Sequence, residues 1–345
     1  MVVSVFKTGA ICSVGDCHLF HKLPVEKVLE TRLTGSLRVT VTMYLCQSPF
    51  MVYSIMTKTI NPKAIKALAI DLDGTTLLPG AVLGERTKNC IHKLIANGMQ
   101  IIIATGRAVE SSERFRSAMG AEGPMVYFNG AEVVDVPSGK ILYANMISLD
   151  VVAHGSQIAR DLDVHFHVFL PAGISPETGK KDPNQKYEAL LFEKHGPSLD
   201  YYVNHTSIKP YFKDFKSIAE MPEVTGCVKG MYVADPSLHD EIRARMKNRF
   251  GDQISVIRSY PTFLEVINSD VSKGEGLRIA MQHRGLKQEE VIAFGDEEND
   301  TPMFPVAGFS GAPASARGPI REAADFVYGS NADEGLALWL EGQFF

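Results

Sequence analysis

Hydrophobic residues follow two patterns over most of the chain, as short uninterrupted runs and as positions spaced three or four residues apart. The runs have the length of buried strands and lie at residues 66–72, 100–105 and 125–129. Between them, residues 85–97 and 111–119 have hydrophobic positions at helical spacing. This alternation of strands and helices, with almost continuously apolar strands, predicts a parallel sheet covered by helices on both faces.

The same alternation returns near the C-terminus, with a predicted helix at 273–283 and predicted strands at 290–295 and 325–328. The segment between the two halves is instead rich in aromatic residues and proline. Further predicted helices lie at 151–162 and 239–250, and further predicted strands at 227–233 and 263–267. The middle segment therefore predicts a separate α+β domain inserted into the α/β one.

Four segments follow from these patterns. They are an N-terminal extension of uncertain status (1–60), a first core part (61–147), an inserted domain (148–262) and a second core part (263–345). The predicted fold class is α/β, with a Rossmann-like, doubly wound parallel sheet and an inserted α+β cap domain.

The N-terminal extension repeats no clear period. Only residues 37–45 alternate like a strand, and no partner strand is apparent nearby. A signal peptide is disfavoured because Lys7 interrupts the first apolar run. We expect either a variable extension or translation that begins at Met51 or Met56, which N-terminal sequencing of the native protein would test.

Composition narrows the possible partners and location. The 345 residues include 35 Lys and Arg against 40 Asp and Glu, a net charge of −5, so the chain lacks the positive field that broad nucleic-acid binding requires. There is no apolar run of about 18 residues, which disfavours a membrane span. Five scattered cysteines do not suggest a disulfide framework. We expect a cytoplasmic protein without nucleic-acid or membrane partners, and nothing here specifies an oligomeric state.

Carboxylates are concentrated where two predicted strands end. Asp71 and Asp73 follow the first strand and project to the same side of an extended chain, and Gly74 lets the chain turn. Two carboxylates this close are costly to keep ionised without a cation. The segment Asp296-Glu-Glu-Asn-Asp300 adds a second cluster at another strand end, where open α/β sheets bind ligands. Together they predict a Mg²⁺ site; a solvated turn and a helix cap are the alternatives.

Two further segments suit a bound anion. Thr105 and Gly106 close the second predicted strand, where a hydroxyl and free backbone N–H groups can bind a phosphate oxygen. Lys273 begins a predicted helix, where a cation opposes the helix dipole unless an anion lies nearby. Each feature alone also fits an ordinary turn or an exposed lysine.

In their order along the chain, these segments resemble the four motifs of the haloacid dehalogenase (HAD) superfamily of phosphoryl-transfer enzymes. They are Asp71-Leu-Asp-Gly-Thr-Thr76, Thr105-Gly-Arg107, Lys273 and Gly295-Asp-Glu-Glu-Asn-Asp300. Within the superfamily the chain resembles the Cof-type phosphatases. The features that carry this resemblance are Asn129-Gly130, the insert between the second and third motifs, and the segment 330–335. The resemblance covers about residues 64–341.

The resemblance implies a role for each motif residue. Asp71 would be the nucleophile that forms an aspartyl-phosphate, and Asp73 the general acid and base. Mg²⁺ would be held by the Asp71 carboxylate, the backbone carbonyl of Asp73, and Asp296. Asp300 would orient Lys273 or the metal ligands. Phosphate would be bound by Leu72, Thr105, Gly106, Lys273 and Asn299.

The implied function is a Mg²⁺-dependent phosphatase for a small phosphoester, such as a sugar phosphate, with the inserted domain as a cap over the site. A phosphomutase of the phosphomannomutase type, which shares the Asp-x-Asp-Gly-Thr motif, is an alternative. A non-catalytic protein that binds a phosphorylated ligand is another. Pro313 stands where family members often have Asn, so the family's substrate contacts do not carry over at this loop.

Overall fold

The structure is a computed structural model. It describes the backbone of residues 4–7, 10–11, 25–33, 37–45 and 52–59, and all of residues 60–345 except Pro137 and the side chain of His205. Among these residues, every helix is too short or too polar to cross a membrane.

Five parallel strands form the central sheet of the core. In spatial order they are Phe326–Tyr328, Phe309–Pro313, Val291–Phe294, Ala67–Ile70 and Gln100–Ile103. Four of these strands are predicted from apolar runs, whereas Phe309–Pro313 is not. Ala67–Ile70 pairs with Val291–Phe294 on one side and Gln100–Ile103 on the other. The residues that follow Ala67–Ile70 therefore lie between the ends of the two neighbouring strands.

Alternate residues of the central strand pack on opposite faces of the sheet. Leu68 and Ile70 lie in one apolar cluster, while Ala67 and Ala69 lie in another. Helices that cover the sheet are Glu85–Ala96, Val109–Met119, Lys273–Arg284, Gly318–Ala323 and Gly335–Phe344. The predicted α/β class, with helices on both faces of a parallel sheet, is confirmed.

The third predicted strand joins a different sheet. Gly123–Tyr127 pairs antiparallel with Glu132–Val136, which pairs in turn with Lys140–Ala144. Its link to the central sheet is a single parallel bridge between Ala104 and Val126. This link places the end of the strand, and Asn129 after it, beside the end of the second core strand.

A separate, mostly antiparallel sheet of six strands forms the cap. Its strands, in spatial order, are Pro210–Phe212, Ala189–Phe192, His165–Leu170, Lys229–Val233, Phe263–Asn268 and Ile254–Tyr260. The cap helices are Leu149–Leu162, Pro197–Thr206, Phe215–Ile218 and His239–Phe250, and a short ladder pairs Ile147–Ser148 with Gly226–Cys227.

One domain boundary differs from the prediction. Phe263–Asn268, assigned to the second core part by the boundary at 262, pairs with Lys229–Val233 and Ile254–Tyr260 of the cap. Its residues are almost all buried and complete the cap sheet before the chain returns to the core. The rest of the predicted domain division stays a prediction.

The residues of the N-terminal segment that the structure describes form five strands. Their spatial order is Ala10–Ile11, Ser4–Lys7, Val52–Ile60, Leu37–Leu45 and Val25–Leu33. The strand predicted at 37–45 is confirmed, and it pairs on both sides although no partner is apparent from the sequence. Its partner Val25–Leu33 mixes charged and apolar residues without alternation, so sequence periodicity does not reveal it. The start of translation at Met51 or Met56 stays a prediction.

Candidate active site

The turn after the first core strand fixes the direction of Asp71. Its backbone N–H donates to the carbonyl oxygen of Phe294 at 3.0 Å, and its own carbonyl accepts from Thr76 Oγ1 at 2.5 Å. The chain then reverses at Gly74, whose φ of +82° favours glycine. A Cβ atom on Gly74 would lie 2.2 Å from Asp296 Oδ2. Glycine therefore permits both the turn and the close approach of Asp296.

Lys273 links two carboxylates at the base of the site. Its Nζ lies 2.6 Å from Asp71 Oδ1 and 2.6 Å from Asp300 Oδ1. The side chain is only 1% exposed. Burial alone would lower the pKa of Lys273, but Asp300 and Asp71 outweigh it, so the pKa lies above its ordinary value and the ammonium group stays charged.

Asp300 lies at the centre of this network. Besides its ion pair with Lys273, its Oδ2 accepts backbone N–H groups of Asp296 at 2.9 Å and Glu297 at 3.0 Å. One buried carboxylate thus contacts the lysine and fixes the backbone of the second acidic segment. The orienting role that the family resemblance implies for Asp300 stays a prediction.

Three carboxylates converge in a group that could hold a cation. One oxygen from each of Asp71, Asp296 and Asp300 lies within 4.8 Å of the others. Burial and the charge of Asp300 raise the pKa of Asp296 to about 7, although Thr75 Oγ1 donates to it at 2.7 Å. Burial likewise raises the pKa of Asp71, against the opposing charge of Lys273. A single lysine therefore does not compensate the cluster.

The donor set suits Mg²⁺. Carboxylate oxygens are the ligands that this hard ion prefers, and Mg²⁺ is bound by only a few protein groups. The hydroxyl of Tyr328 is also buried without a hydrogen-bond partner among the described residues. Burial raises the pKa of this hydroxyl, and the charges of Asp296 and Asp71 raise it further. A hydrated cation would supply both the missing positive charge and polar partners.

Asp73 lies outside this carboxylate group. Its side chain is 53% exposed, whereas the Arg107 guanidinium that binds it is 9% exposed. The two hydrogen bonds run from Nε to Oδ2 at 2.6 Å and from Nη2 to Oδ1 at 2.7 Å. Arg107 also lies over the Phe115 ring. Sequence reasoning assigned no role to Arg107, although the residue closes the Thr-Gly-Arg segment.

The predicted phosphate-binding residues lie on loops that meet beside this centre. Thr105 is buried and its Oγ1 accepts from the Arg107 backbone N–H at 3.2 Å. Asn129 N–H donates to the Thr105 carbonyl at 3.0 Å, and Asn299 Nδ2 donates to Asn129 Oδ1 at 2.9 Å. Leu72 begins the turn after Asp71. The roles of these residues stay predictions.

Like the contact of Arg107 with Asp73, the place of Asn129 beside Thr105 and Asn299 could not be read from the sequence. It is buried and adopts a left-handed conformation with φ +59°. Asparagine tolerates this conformation better than most residues, and the Asn129-Gly130 pair is the only local signal for it.

The fold and the site define a class of enzyme built on a parallel α/β sheet, with a buried lysine–aspartate cluster at the carboxyl edge and an inserted cap. The chain belongs to the haloacid dehalogenase-like hydrolases, whose family model matches residues 68–340. The predicted membership of the superfamily and of its Cof-type branch is confirmed, as is the prediction of a hydrolase.

Relatives and solved structures agree with this assignment. An HMP-PP phosphatase from Cronobacter sakazakii is 30% identical over 243 residues, which cover 70% of this chain and 80% of the relative. A 5-amino-6-(5-phospho-D-ribitylamino)uracil phosphatase from Bacillus subtilis is 25% identical, over 80% and 97% of the two chains. The fold matches a haloacid dehalogenase-like hydrolase from Bacteroides thetaiotaomicron with a TM-score of 0.69, at 23% identity, over 81% of this chain and 99% of that one.

Proposed function

We propose that this protein is a Mg²⁺-dependent phosphatase that hydrolyses a small phosphorylated metabolite through an aspartyl-phosphate. Family membership supports hydrolysis, and the phosphatases among its relatives support a phosphoric monoester as substrate. The observation that carries the proposal is the convergence of the Asp71, Asp296 and Asp300 carboxylates, two of which, Asp71 and Asp300, contact one buried lysine.

In this proposal Asp71 is the nucleophile. Lys273 binds Oδ1 of Asp71, so the other carboxylate oxygen attacks phosphorus while the bond from phosphorus to the leaving-group oxygen breaks. Water then attacks the phosphorus of the aspartyl-phosphate, which releases inorganic phosphate and regenerates the Asp71 carboxylate. Two displacements on one carboxylate replace a single more difficult one.

Asp73 moves the protons in both displacements. It donates a proton to the departing alkoxide and afterwards accepts one from the attacking water. Its half-exposed side chain, next to the buried nucleophile, suits a group that must meet both the leaving group and water. Arg107 holds the carboxylate between these two events.

The remaining roles concern charge and orientation. Bound Mg²⁺, held by Asp71, Asp296 and the backbone carbonyl of Asp73, would neutralise phosphate charge so that an anionic nucleophile can approach. Lys273, Thr105 and Asn299, with the backbone N–H groups of Leu72 and Gly106, bind the non-bridging oxygens. Asp300 keeps Lys273 oriented. Positioning and charge stabilisation of this kind account for most of catalysis in phosphoryl transfer.

The test is release of inorganic phosphate from sugar phosphates, nucleotides and cofactor phosphates, with Mg²⁺ and with a chelator. We expect Mg²⁺-dependent release from at least one substrate and a loss of about a thousandfold or more in the Asp71→Asn variant. The matched control is Asp252→Asn, the same change at a fully exposed cap residue. Acid-quenched wild-type enzyme should carry one phosphoryl group that Asp71→Asn lacks.

Other outcomes would identify the alternatives. Isomerisation of a sugar phosphate without phosphate release, dependent on a bisphosphorylated activator, would indicate a phosphomutase. Binding of phosphorylated ligands without turnover of any substrate would indicate a non-catalytic protein. Full activity in Asp71→Asn would contradict the nucleophile assignment.

A further inference from the structure

Two charged residues of the cap are buried against the core. Lys229 and Glu265 lie on neighbouring strands of the cap sheet, and their side chains are 2% and 3% exposed. Charged side chains are rarely buried this completely unless they are paired. The proposed chemistry uses neither residue.

Both side chains reach core loops at or beside the predicted phosphate-binding residues. Lys229 Nζ lies 3.3 Å from Glu265 Oε1 and donates to the carbonyl oxygen of Gly106 at 3.1 Å. Glu265 Oε2 accepts from Asn129 Nδ2 at 2.7 Å. The ion pair is thus tied to the core at two points.

The network continues on the core side to the fourth motif. The amide nitrogen of Asn129 donates to Glu265, and its amide oxygen accepts a hydrogen bond from Asn299 Nδ2 at 2.9 Å. Asn129 also packs against Gly106, because a Cβ atom on Gly106 would lie 2.9 Å from Asn129 Oδ1. One largely buried network therefore connects the cap to Gly106 and Asn299, two predicted phosphate ligands that lie on separate loops.

The energetics indicate a role beyond holding the domains together. A buried ion pair is weak support for stability, because the cost of desolvating both charges offsets most of their attraction. The surrounding contact is already apolar: Phe128 of the core and Phe169 of the cap have ring centroids 5.1 Å apart, and Lys229 Nζ lies over both rings. Apolar residues would suffice for adhesion, whereas directional hydrogen bonds fix the positions of the two loops.

We propose that Lys229 and Glu265 are positioning residues that complete the phosphate pocket when the cap is closed. Lys229 fixes the Gly106 carbonyl, and Glu265 fixes Asn129, which in turn orients the Asn299 amide. When the cap moves away, both cap contacts are lost and the two loops lose these restraints. This inference rests on the proposed phosphatase function and adds a coupling between cap closure and phosphate binding.

The experiment compares Lys229→Met, Glu265→Gln and the double variant with the wild type, using the best phosphoester from the panel above. The readouts are kcat, KM, the inhibition constant for orthovanadate and the thermal midpoint. Because either single variant leaves one buried charge unpaired, the double variant, which buries no charge, keeps the test valid if a single variant fails to fold. The control is Tyr232→Phe, which removes a buried hydrogen bond to the Gly155 carbonyl within the cap.

We expect the double variant to fold, to lose about ten- to a hundredfold in kcat, and to bind orthovanadate correspondingly less tightly. Because Lys229 and Glu265 act as a unit, the double variant should be at least as active as the less active of the two single variants. Tyr232→Phe should lower the thermal midpoint and leave kcat and the inhibition constant for orthovanadate within twofold.

Two results would overturn the inference. If the wild type is active and all variants keep its kcat and vanadate inhibition within twofold, Lys229 and Glu265 are only structural. The proposed function would then still stand. If the wild type releases phosphate from no substrate, the proposed function fails and this inference fails with it.

Discussion

The guanidinium group of Arg107 engages both oxygens of Asp73, at 2.6 and 2.7 Å. Arg107 therefore fixes the orientation of the carboxyl group that is proposed to move protons in both displacements. Arg107 lies on the loop of the second motif, so the proposed proton donor and the predicted phosphate ligands of that loop are directly linked.

The proton transfer assigned to Asp73 can be tested by varying the leaving group. Asparagine keeps the shape of the side chain but cannot donate an acidic proton. We expect Asp73→Asn to reduce kcat for alkyl phosphates by about a hundredfold or more. The loss should be much smaller for p-nitrophenyl phosphate, whose leaving group needs little protonation. Equal losses for both kinds of substrate would contradict the assignment of Asp73 as general acid.

The proposed metal site can be tested at Asp296. Removing this charge leaves Asp71 as the one side-chain carboxylate assigned to Mg²⁺, so we expect Asp296→Asn to raise the Mg²⁺ concentration for half-maximal activity at least about tenfold. Glu298→Gln removes the same charge from an exposed position two residues away and serves as the control. Titration of activity with Mg²⁺ measures the half-maximal concentration for both variants. An unchanged Mg²⁺ requirement in Asp296→Asn would exclude its role as a ligand.

The contact between Gly74 and Asp296 gives a steric test of the same site. Gly74 and Gly80 have almost the same positive φ, +82° and +81°, so alanine strains the backbone similarly at both. Only at Gly74 does the added Cβ meet Asp296, whereas nothing lies within 4 Å at Gly80. We expect Gly74→Ala to lower kcat about a hundredfold and Gly80→Ala to leave it near the wild-type value. Similar kcat values in the two variants would show that backbone strain, not displacement of Asp296, determines the effect.

A pH-dependent contribution to stability is expected from Glu132, which is fully buried. Burial and the nearby carboxyl group of Glu188 raise the pKa of Glu132 well above its ordinary value. The folded protein therefore keeps a proton that the unfolded chain loses above about pH 4.3, so stability falls as pH rises from there towards the folded pKa.

Glu132→Gln removes this titration. We expect the variant to match the wild type near pH 5 and to be more stable at pH 8 by on the order of 1–3 kcal/mol. Urea unfolding followed by fluorescence of Trp339, the only tryptophan, measures the difference. An equal difference in unfolding free energy between variant and wild type at pH 5 and at pH 8 would contradict a raised pKa of Glu132.

The sequence predicted the core where one physical signal dominates. Buried parallel strands such as Ala67–Ile70 need apolar residues on both faces and therefore form visible runs. Phe309–Pro313 is equally buried but consists mostly of small residues, Ser-Gly-Ala-Pro after the phenylalanine, so it lacks such a run. The strand Phe263–Asn268 was found, but its partners could not be read from periodicity, because pairing depends on segments far apart in sequence.

The acidic and lysine motifs of the site were predictable because their residue types are unusual at strand ends. Pairings between distant residues were not. Nothing local indicates that Arg107 binds Asp73, and Lys229 and Glu265 look like ordinary polar positions of half-exposed strands. Their burial arises only when the cap packs on the core, which is a property of the tertiary structure.

The order of the motifs along the chain affects how the protein can be made. Asp71 and Lys273 are 202 residues apart, and the whole cap is encoded between them. During synthesis the first motif leaves the ribosome long before its lysine partner does. A chain terminated anywhere in the cap contains Asp71 but lacks Lys273, Asp296 and Asp300, so we expect premature products to have no activity.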